Sequence, residues 1–157
     1  MGDEPPGDRL PEGFAWAPLV PELLVTDLRA SLGFWCDLCG FAVVYTRPEE
    51  GFAYLHRGRA QVMLEAATAP GRHWITGPLD RPLGRGINLQ VEVASLAPLL
   101  DALGVAGWPL YLAAEEKWYR AGDVETGVRQ FLVQDPDGYL LRFQEPLGLR
   151  AGAQPAR

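Results

Sequence analysis

Two stretches of the chain repeat one pattern of apolar and polar positions. A predicted strand at Val20 to Val25 is followed by Asp27, a residue type that caps helix N-termini. Leu28, Leu32 and Trp35 follow at helical spacing, up to a stop at Gly40 and Phe41. The layout returns at Asn88 to Val93: Ser95 stands as the cap, Leu96, Leu99, Leu100 and Leu103 form the helical stripe, and Gly107 and Trp108 mark the stop. Each predicted helix is followed by a β segment, Ala42 to Thr46 and Pro109 to Leu112, and then by a hairpin. The first hairpin joins Gly51–Arg57 to Ala60–Ala66. The second joins Gly127–Gln134 to Tyr139–Glu145 around Asp135-Pro136-Asp137-Gly138, where proline presets φ and glycine accepts a positive one.

This pattern predicts an α+β fold of two βαβββ modules, placed side by side as an eight-stranded mixed sheet. Alternation within the strands assigns the faces. Leu89, Val91 and Val93 point under the helix, while Asn88, Gln90 and Glu92 point away. Val62 and Leu64 likewise oppose Gln61, Met63 and Glu65, and Leu141 and Phe143 oppose Arg142 and Gln144. Helices on the outer face and polar side chains on the other predict a solvent-filled cup, and a ligand is expected there.

The domain is expected over residues 16–147, with module one at about 18–67 and module two at about 87–147. Residues 68–86, dense in glycine and proline, form the linker. Residues 1–15 and 148–157 carry too few apolar side chains to offset the entropy of ordering and are expected to be disordered tails.

Composition narrows the function. Hydrophobic residues make up 48% and charged residues 22%, an ordinary globular balance. Fourteen Lys and Arg against twenty Asp and Glu give a net charge of −6, which is no footprint for nucleic acid and mildly favours cationic ligands. No apolar run is long enough to span a membrane, and the opening residues lack the basic and apolar regions of a signal peptide. Two cysteines then imply reduced thiols and a cytoplasmic setting.

Candidate chemistry is sparse. Cys36 and Cys39 have CxxC spacing, but they lie near a helix end with no second ligand pair, so buried thiols are expected rather than a redox or zinc site. His56 and His73 lack partners for nucleophilic catalysis and are expected at the surface. Gly84-Arg85-Gly86 is too short for a phosphate loop. No catalytic residue is expected. Trp74, Trp118 and Tyr119 fall outside the helical stripes, in segments that read as loops or strand edges, and Glu115 and Glu116 precede two of these rings. Flat rings beside carboxylates suit a planar cation. The same rings equally suit a dimer interface.

The run Leu23 to Leu28, followed by Ser31-Leu-Gly-Phe-Trp-Cys-Asp-Leu-Cys-Gly-Phe41, resembles the opening of the vicinal oxygen chelate superfamily. Asp135-Pro-Asp-Gly-Tyr-Leu-Leu-Arg-Phe143 resembles its closing hairpin. The superfamily contains metal enzymes (glyoxalases, extradiol dioxygenases, fosfomycin-resistance transferases) and metal-free drug binders of the bleomycin-resistance type. The resemblance implies four matched metal positions, here Val20, Glu65, Asn88 and Arg142. Val20 has no ligand atom, Arg142 is permanently cationic, Asn88 is a weak neutral donor, and Glu65 alone is a proper ligand.

The resemblance therefore points to the metal-free branch, with no cofactor. Glu65 and Arg142 then face each other across the cup, as a closing salt bridge or as ligand contacts. The ligand set expected is Glu65, Asn88, Arg142, Trp74, Glu115, Glu116, Trp118 and Tyr119. The function expected is sequestration of a bulky cationic antibiotic of the bleomycin type by a homodimer. An enzyme of lyase or dioxygenase type with a degenerate metal site, working on a small metabolite by acid/base chemistry through Glu65 or by recruiting a metal, is the alternative. A pocket for an endogenous metabolite is a third reading.

Overall fold

The computed structural model describes residues 10–152, and the chain divides into two compact units. The outermost parts of the two expected tails, residues 1–9 and 153–157, lie outside the described residues. The first unit comprises residues up to Leu83 together with Asp135–Asp137, and the second comprises the remainder.

In the first unit, β1 (Glu22–Val25) leads into α1 (Leu28–Leu32), which continues as a wider π turn over Gly33–Leu38. Asp27 caps α1 as expected, its carboxylate accepting from the Ala30 amide at 3.1 Å. Then follow β2 (Ala42–Arg47), a short 3₁₀ turn at Pro48–Glu50, β3 (Phe52–Arg57) and β4 (Ala60–Ala66). The strand order is β1-β4-β3-β2, with β1 parallel to β4 and the other pairs antiparallel.

Register decides the faces. Leu23 pairs with Leu64, Ala53 with Leu64 and Leu55 with Val62, and these side chains are buried on the helix side with Phe34 and Trp35. The Trp35 ring meets the edge of Phe41 at 5.0 Å, and its Nε1 donates to the Asp135 carboxylate at 3.2 Å.

The second unit repeats the topology: β5 (Asn88–Glu92), α2 (Ala97–Val105), β6 (Leu110–Ala121), β7 (Val124–Gln134) and β8 (Leu140–Ala151), in the order β5-β8-β7-β6. Hydrogen bonds thus divide the eight expected strands into two sheets of four. The core of this unit is Val91, Phe131, Val133, Leu141 and Phe143 with Leu96, Leu99 and Leu103 of the helix region, and Phe131 stacks on Phe143 at 5.5 Å.

Four boundaries differ from expectation. The described part of the expected N-terminal tail is not a loose end, since Phe14 packs on the first sheet's apolar cluster and the Ala15 carbonyl accepts from Gln61 at 2.7 Å. Ser95 is not the cap of α2: Leu96 occupies that position, the Ser95 hydroxyl accepts from the Ala97 amide at 3.3 Å, and Glu145 accepts from the Leu96 amide at 2.9 Å. A carboxylate from β8 thus takes over much of the capping. The β segment expected to stop at Leu112 runs to Ala121, because Glu115–Ala121 pair in unbroken register with Val124–Gln130. Likewise β8 extends past residue 147 to Ala151.

Candidate functional site

The first sheet's open face carries Glu22 on β1, Met63 and Glu65 on β4, Phe52 and Tyr54 on β3, and Tyr45 and Arg47 on β2. Cross-strand pairs place these residues on one side: Glu22 with Met63, Phe52 with Glu65, Tyr54 with Met63, Arg47 with Phe52. Toward the Glu65 end lies a cavity of about 650 Å³. Four carboxylates line it, those of Glu22, Glu49, Glu50 and Glu65, against the guanidinium groups of Arg47 and Arg72. Trp74, 68% exposed, completes the rim with Arg72 lying 4.0 Å over its ring. Both cations are already engaged: Arg47 donates to Glu50 and sits 3.7 Å over the Phe52 ring.

His73 belongs to this site rather than to the surface where its sequence context placed it. Its side chain is 13% exposed, its Nε2 donates to the Ala69 carbonyl at 2.9 Å, and its Nδ1 stands 3.4 Å from the Glu65 carboxylate. The linker segment folds back and delivers it, which no local pattern in that segment announces. The Ala69 carbonyl, and after it the Glu65 carboxylate, push the His73 pKa above its ordinary value. Glu22 is also raised, first by burial and then by the like charge of Glu65 beside it. A buried carboxylate, a second carboxyl held back from ionising and an imidazole can together receive a cation or pass a proton. Sequence reasoning found Glu65 and Trp74 but missed Glu22 and His73.

The open face is also less wet than alternation implied. Gln61 and Glu65 are each 8% exposed. Phe14, Val20, Tyr45 and Met63 pack on Val44, Phe52 and Tyr54, so Val20 is part of an apolar cluster.

The remaining expected residues lie in the second unit. Trp118 and Tyr119, adjacent on β6, point to opposite faces, as consecutive strand residues must. They form no joint platform. Trp118 covers Gly127, where an added Cβ would meet the ring at 2.6 Å, and Arg150 lies 4.2 Å over it. Glu116 shares that face, opposite Arg129. Tyr119 and Glu115 point the other way and are joined by Gln130, which donates to the Glu115 carboxylate at 2.9 Å and the Tyr119 hydroxyl at 2.7 Å. Arg142 donates to Gln90 on the neighbouring strand, and Asn88 is exposed at the start of β5. Each of Glu65 and Arg142 thus has its partner within its own unit. Cys36 and Cys39 are free thiols, and burial pushes Cys39 up to about 12, so it is no nucleophile at neutral pH.

No family model matches the chain. A bleomycin resistance protein of Geobacillus stearothermophilus is 29% identical over 135 residues, covering 79% of this chain and 92% of that protein. TioX from Micromonospora sp. ML1 superposes with a TM-score of 0.65 at 22% identity, covering 84% of this chain and all of its own. The chain has the fold of the vicinal oxygen chelate superfamily and is similar in sequence to its bleomycin-resistance proteins. Within the superfamily's fold, a lactoylglutathione lyase from Agrobacterium tumefaciens superposes at a TM-score of 0.54, 19% identity, 82% of this chain and 92% of that one.

The metal that many superfamily members hold does not fit the residues here. Val20 packs in the apolar cluster, and Arg142 brings a positive charge where a ligand would stand. Among the described residues, no three His, Cys, Asp or Glu side chains are placed to hold an ion.

Proposed function

We propose that this protein is a metal-free binding protein that sequesters a bulky cationic antibiotic of the bleomycin type, acting as a homodimer without a cofactor. The observation that carries the reading is the acidic cavity beside Trp74. Four carboxylates face two guanidinium groups there, and both guanidinium groups already have aromatic or acidic partners. That leaves Glu22, Glu49 and Glu65 without a guanidinium partner to meet a cationic guest, Glu65 with His73 beside it, and a flat ring at the rim for the guest's planar part. Sequestration requires affinity only, since resistance follows when the free drug falls by mass action. The similarity to a bleomycin resistance protein supports the same guest class. Within this reading, Glu22, Glu65 and Trp74 are the principal ligand residues, and Glu115, Tyr119, Arg142 and Asn88 form a secondary polar set.

Calorimetric titration with bleomycin, with elemental analysis of the same sample, tests the reading. Stoichiometric binding by metal-free protein, weakened in Glu65→Gln, is the expected outcome. Absence of binding, or an equimolar transition metal in the purified protein, overturns it.

One observation favours a second reading. Glu65, flanked by His73 and Glu22 with their raised pKa values, has the form of an acid/base centre. An enzyme would lose turnover in His73→Gln, whereas a binding protein would keep most of its affinity for drug.

A further inference from the structure

Part of the first sheet's open face is covered by the chain itself, and the manner of covering is specific. A turn closed by the Phe14 amide donating to the Pro11 carbonyl at 3.0 Å brings residues 14–17 over β3 and β4. Gln61, 8% exposed, reads this segment's backbone at two points: its Nε2 donates to the Ala15 carbonyl at 2.7 Å, and its Oε1 accepts from the Ala17 amide at 2.9 Å. The Tyr54 hydroxyl donates to the same Oε1 at 2.7 Å and fixes the amide's orientation.

A carbonyl at one residue and an N–H two residues on, both bonded to one amide, is the exchange that one residue of a parallel strand makes with its neighbour through its own N–H and C=O. Gln61 thus presents a side-chain copy of a strand edge. The rings of the segment use the surrounding aromatics. Phe14 meets the edges of Tyr54 at 6.2 Å and His56 at 5.9 Å, and Trp16 meets Tyr54 at 5.2 Å and Tyr45 at 6.2 Å. Alternate residues of an extended chain point the same way, so both rings turn toward the sheet. Pro18 biases the residue before it toward the extended conformation that this docking needs.

We infer that the Gln61 face is a recognition site for an extended peptide backbone bearing aromatic side chains at alternate positions, and that residues 14–17 occupy it as an internal guest. Nothing in the two backbone bonds depends on which residues carry them; the aromatic slots supply the preference. A neutral, linear, aromatic peptide-like molecule is the ligand class, distinct from the cation expected in the acidic cavity. Because the internal guest must leave first, apparent affinity in the intact chain is reduced by the fraction of time the segment is displaced.

The test uses a dye-labelled peptide copy of the segment, acetyl-Phe-Ala-Trp-Ala-amide, and fluorescence polarisation with full-length proteins. The double variant Phe14→Ala/Trp16→Ala, which releases the internal guest, is expected to bind the probe about tenfold or more tighter than the parent. Adding Gln61→Ala to that variant is expected to remove the gain. Glu65→Gln is expected to leave probe binding unchanged, which separates this inference from the cation reading. Where the double variant does not fold, hydrogen exchange of the parent serves: excess probe is expected to speed exchange of the Ala17 amide. Equal probe affinity in parent and double variant, no binding to the folded double variant, or unchanged Ala17 exchange in saturating probe each overturns the inference.

Discussion

The Glu65 carboxylate lies 3.4 Å from Nδ1 of His73, and the two side chains are 10% and 13% exposed. His73 is raised above its ordinary 6.5 by the Ala69 carbonyl and by this carboxylate, so the folded protein holds the imidazole proton more tightly than the unfolded chain. The stabilisation is fully present below pH 6.5 and is lost as pH rises through the folded-state pKa. Denaturant midpoints measured from pH 6 to 9 should fall over that window in the parent and stay flatter in His73→Gln. Parallel curves for the two proteins would show that the pair is not coupled to folding.

Glu22 supplies a pH dependence of the opposite sense for binding. Burial and Glu65 raise its pKa above 4.5, and a cationic guest favours the ionised form. Drug binding is therefore expected to release protons and to weaken as pH falls through the Glu22 value. Calorimetry in two buffers of different ionisation enthalpy measures the released protons directly, and Glu22→Gln should abolish the difference.

Trp74 and Trp118 should behave differently toward the same drug. Trp74 stands at the rim of the acidic cavity, whereas Trp118 faces Gly127 and carries Arg150 on its ring. Trp74→Ala should weaken bleomycin binding by about 1–2 kcal/mol, the scale of a partly desolvated cation–ring contact. Trp118→Ala should leave it within about 0.5 kcal/mol, the scale of substitutions away from a site. A larger effect at Trp118 than at Trp74 would return the guest to the second unit.

Gly127 allows a further check on that unit. A methyl group there meets the far edge of the Trp118 ring at 2.6 Å, and the ring has room to swing outward because it is only half-buried. Gly127→Ala is expected to shift Trp118 emission to longer wavelength while costing about 1 kcal/mol of stability. Unchanged emission would mean that the ring does not rest on Gly127.

Asp137 receives the Thr26 amide at 2.9 Å, the Thr26 hydroxyl at 2.6 Å and Arg81 at 2.7 Å, and it is 1% exposed. Truncation to alanine removes three hydrogen bonds to a buried carboxylate, at a cost of about 2–3 kcal/mol. Asp137→Ala should show this in equilibrium denaturation, and Asp137→Asn should recover part of it. A cost below about 0.5 kcal/mol, the scale of an ordinary surface change, would refute the bonding scheme.

Much of the fold could be read from the chain because each module announces itself locally. Asp27 caps its helix, Gly40 and Gly107 end theirs at positive φ, and alternation at Leu89, Val91 and Val93 matches burial. The strand ends were not legible, since Glu115 to Ala121 show no apolar alternation and are exposed apart from the half-buried Trp118, and only pairing with β7 makes them a strand. The site was legible where a residue's strand position fixed its direction, as for Glu65. It was hidden where a loop delivers the residue, as for His73, or where a neighbouring strand sets the environment, as for Glu22. Trp118 and Tyr119 misled for a related reason: as loop residues they could share a face, and as strand residues they cannot.

Asp135 and Asp137, read from sequence as parts of a local turn, serve the first unit through Trp35, Thr26 and Arg81. This fixes an order of events during synthesis. A nascent chain that has reached Leu83 carries all four strands of the first sheet but neither carboxylate. Until Asp137 leaves the ribosome, the Trp35 indole lacks its Asp135 acceptor and the Thr26 amide lacks its Asp137 one. The unit that begins at the front of the chain is completed only after most of the second has been made.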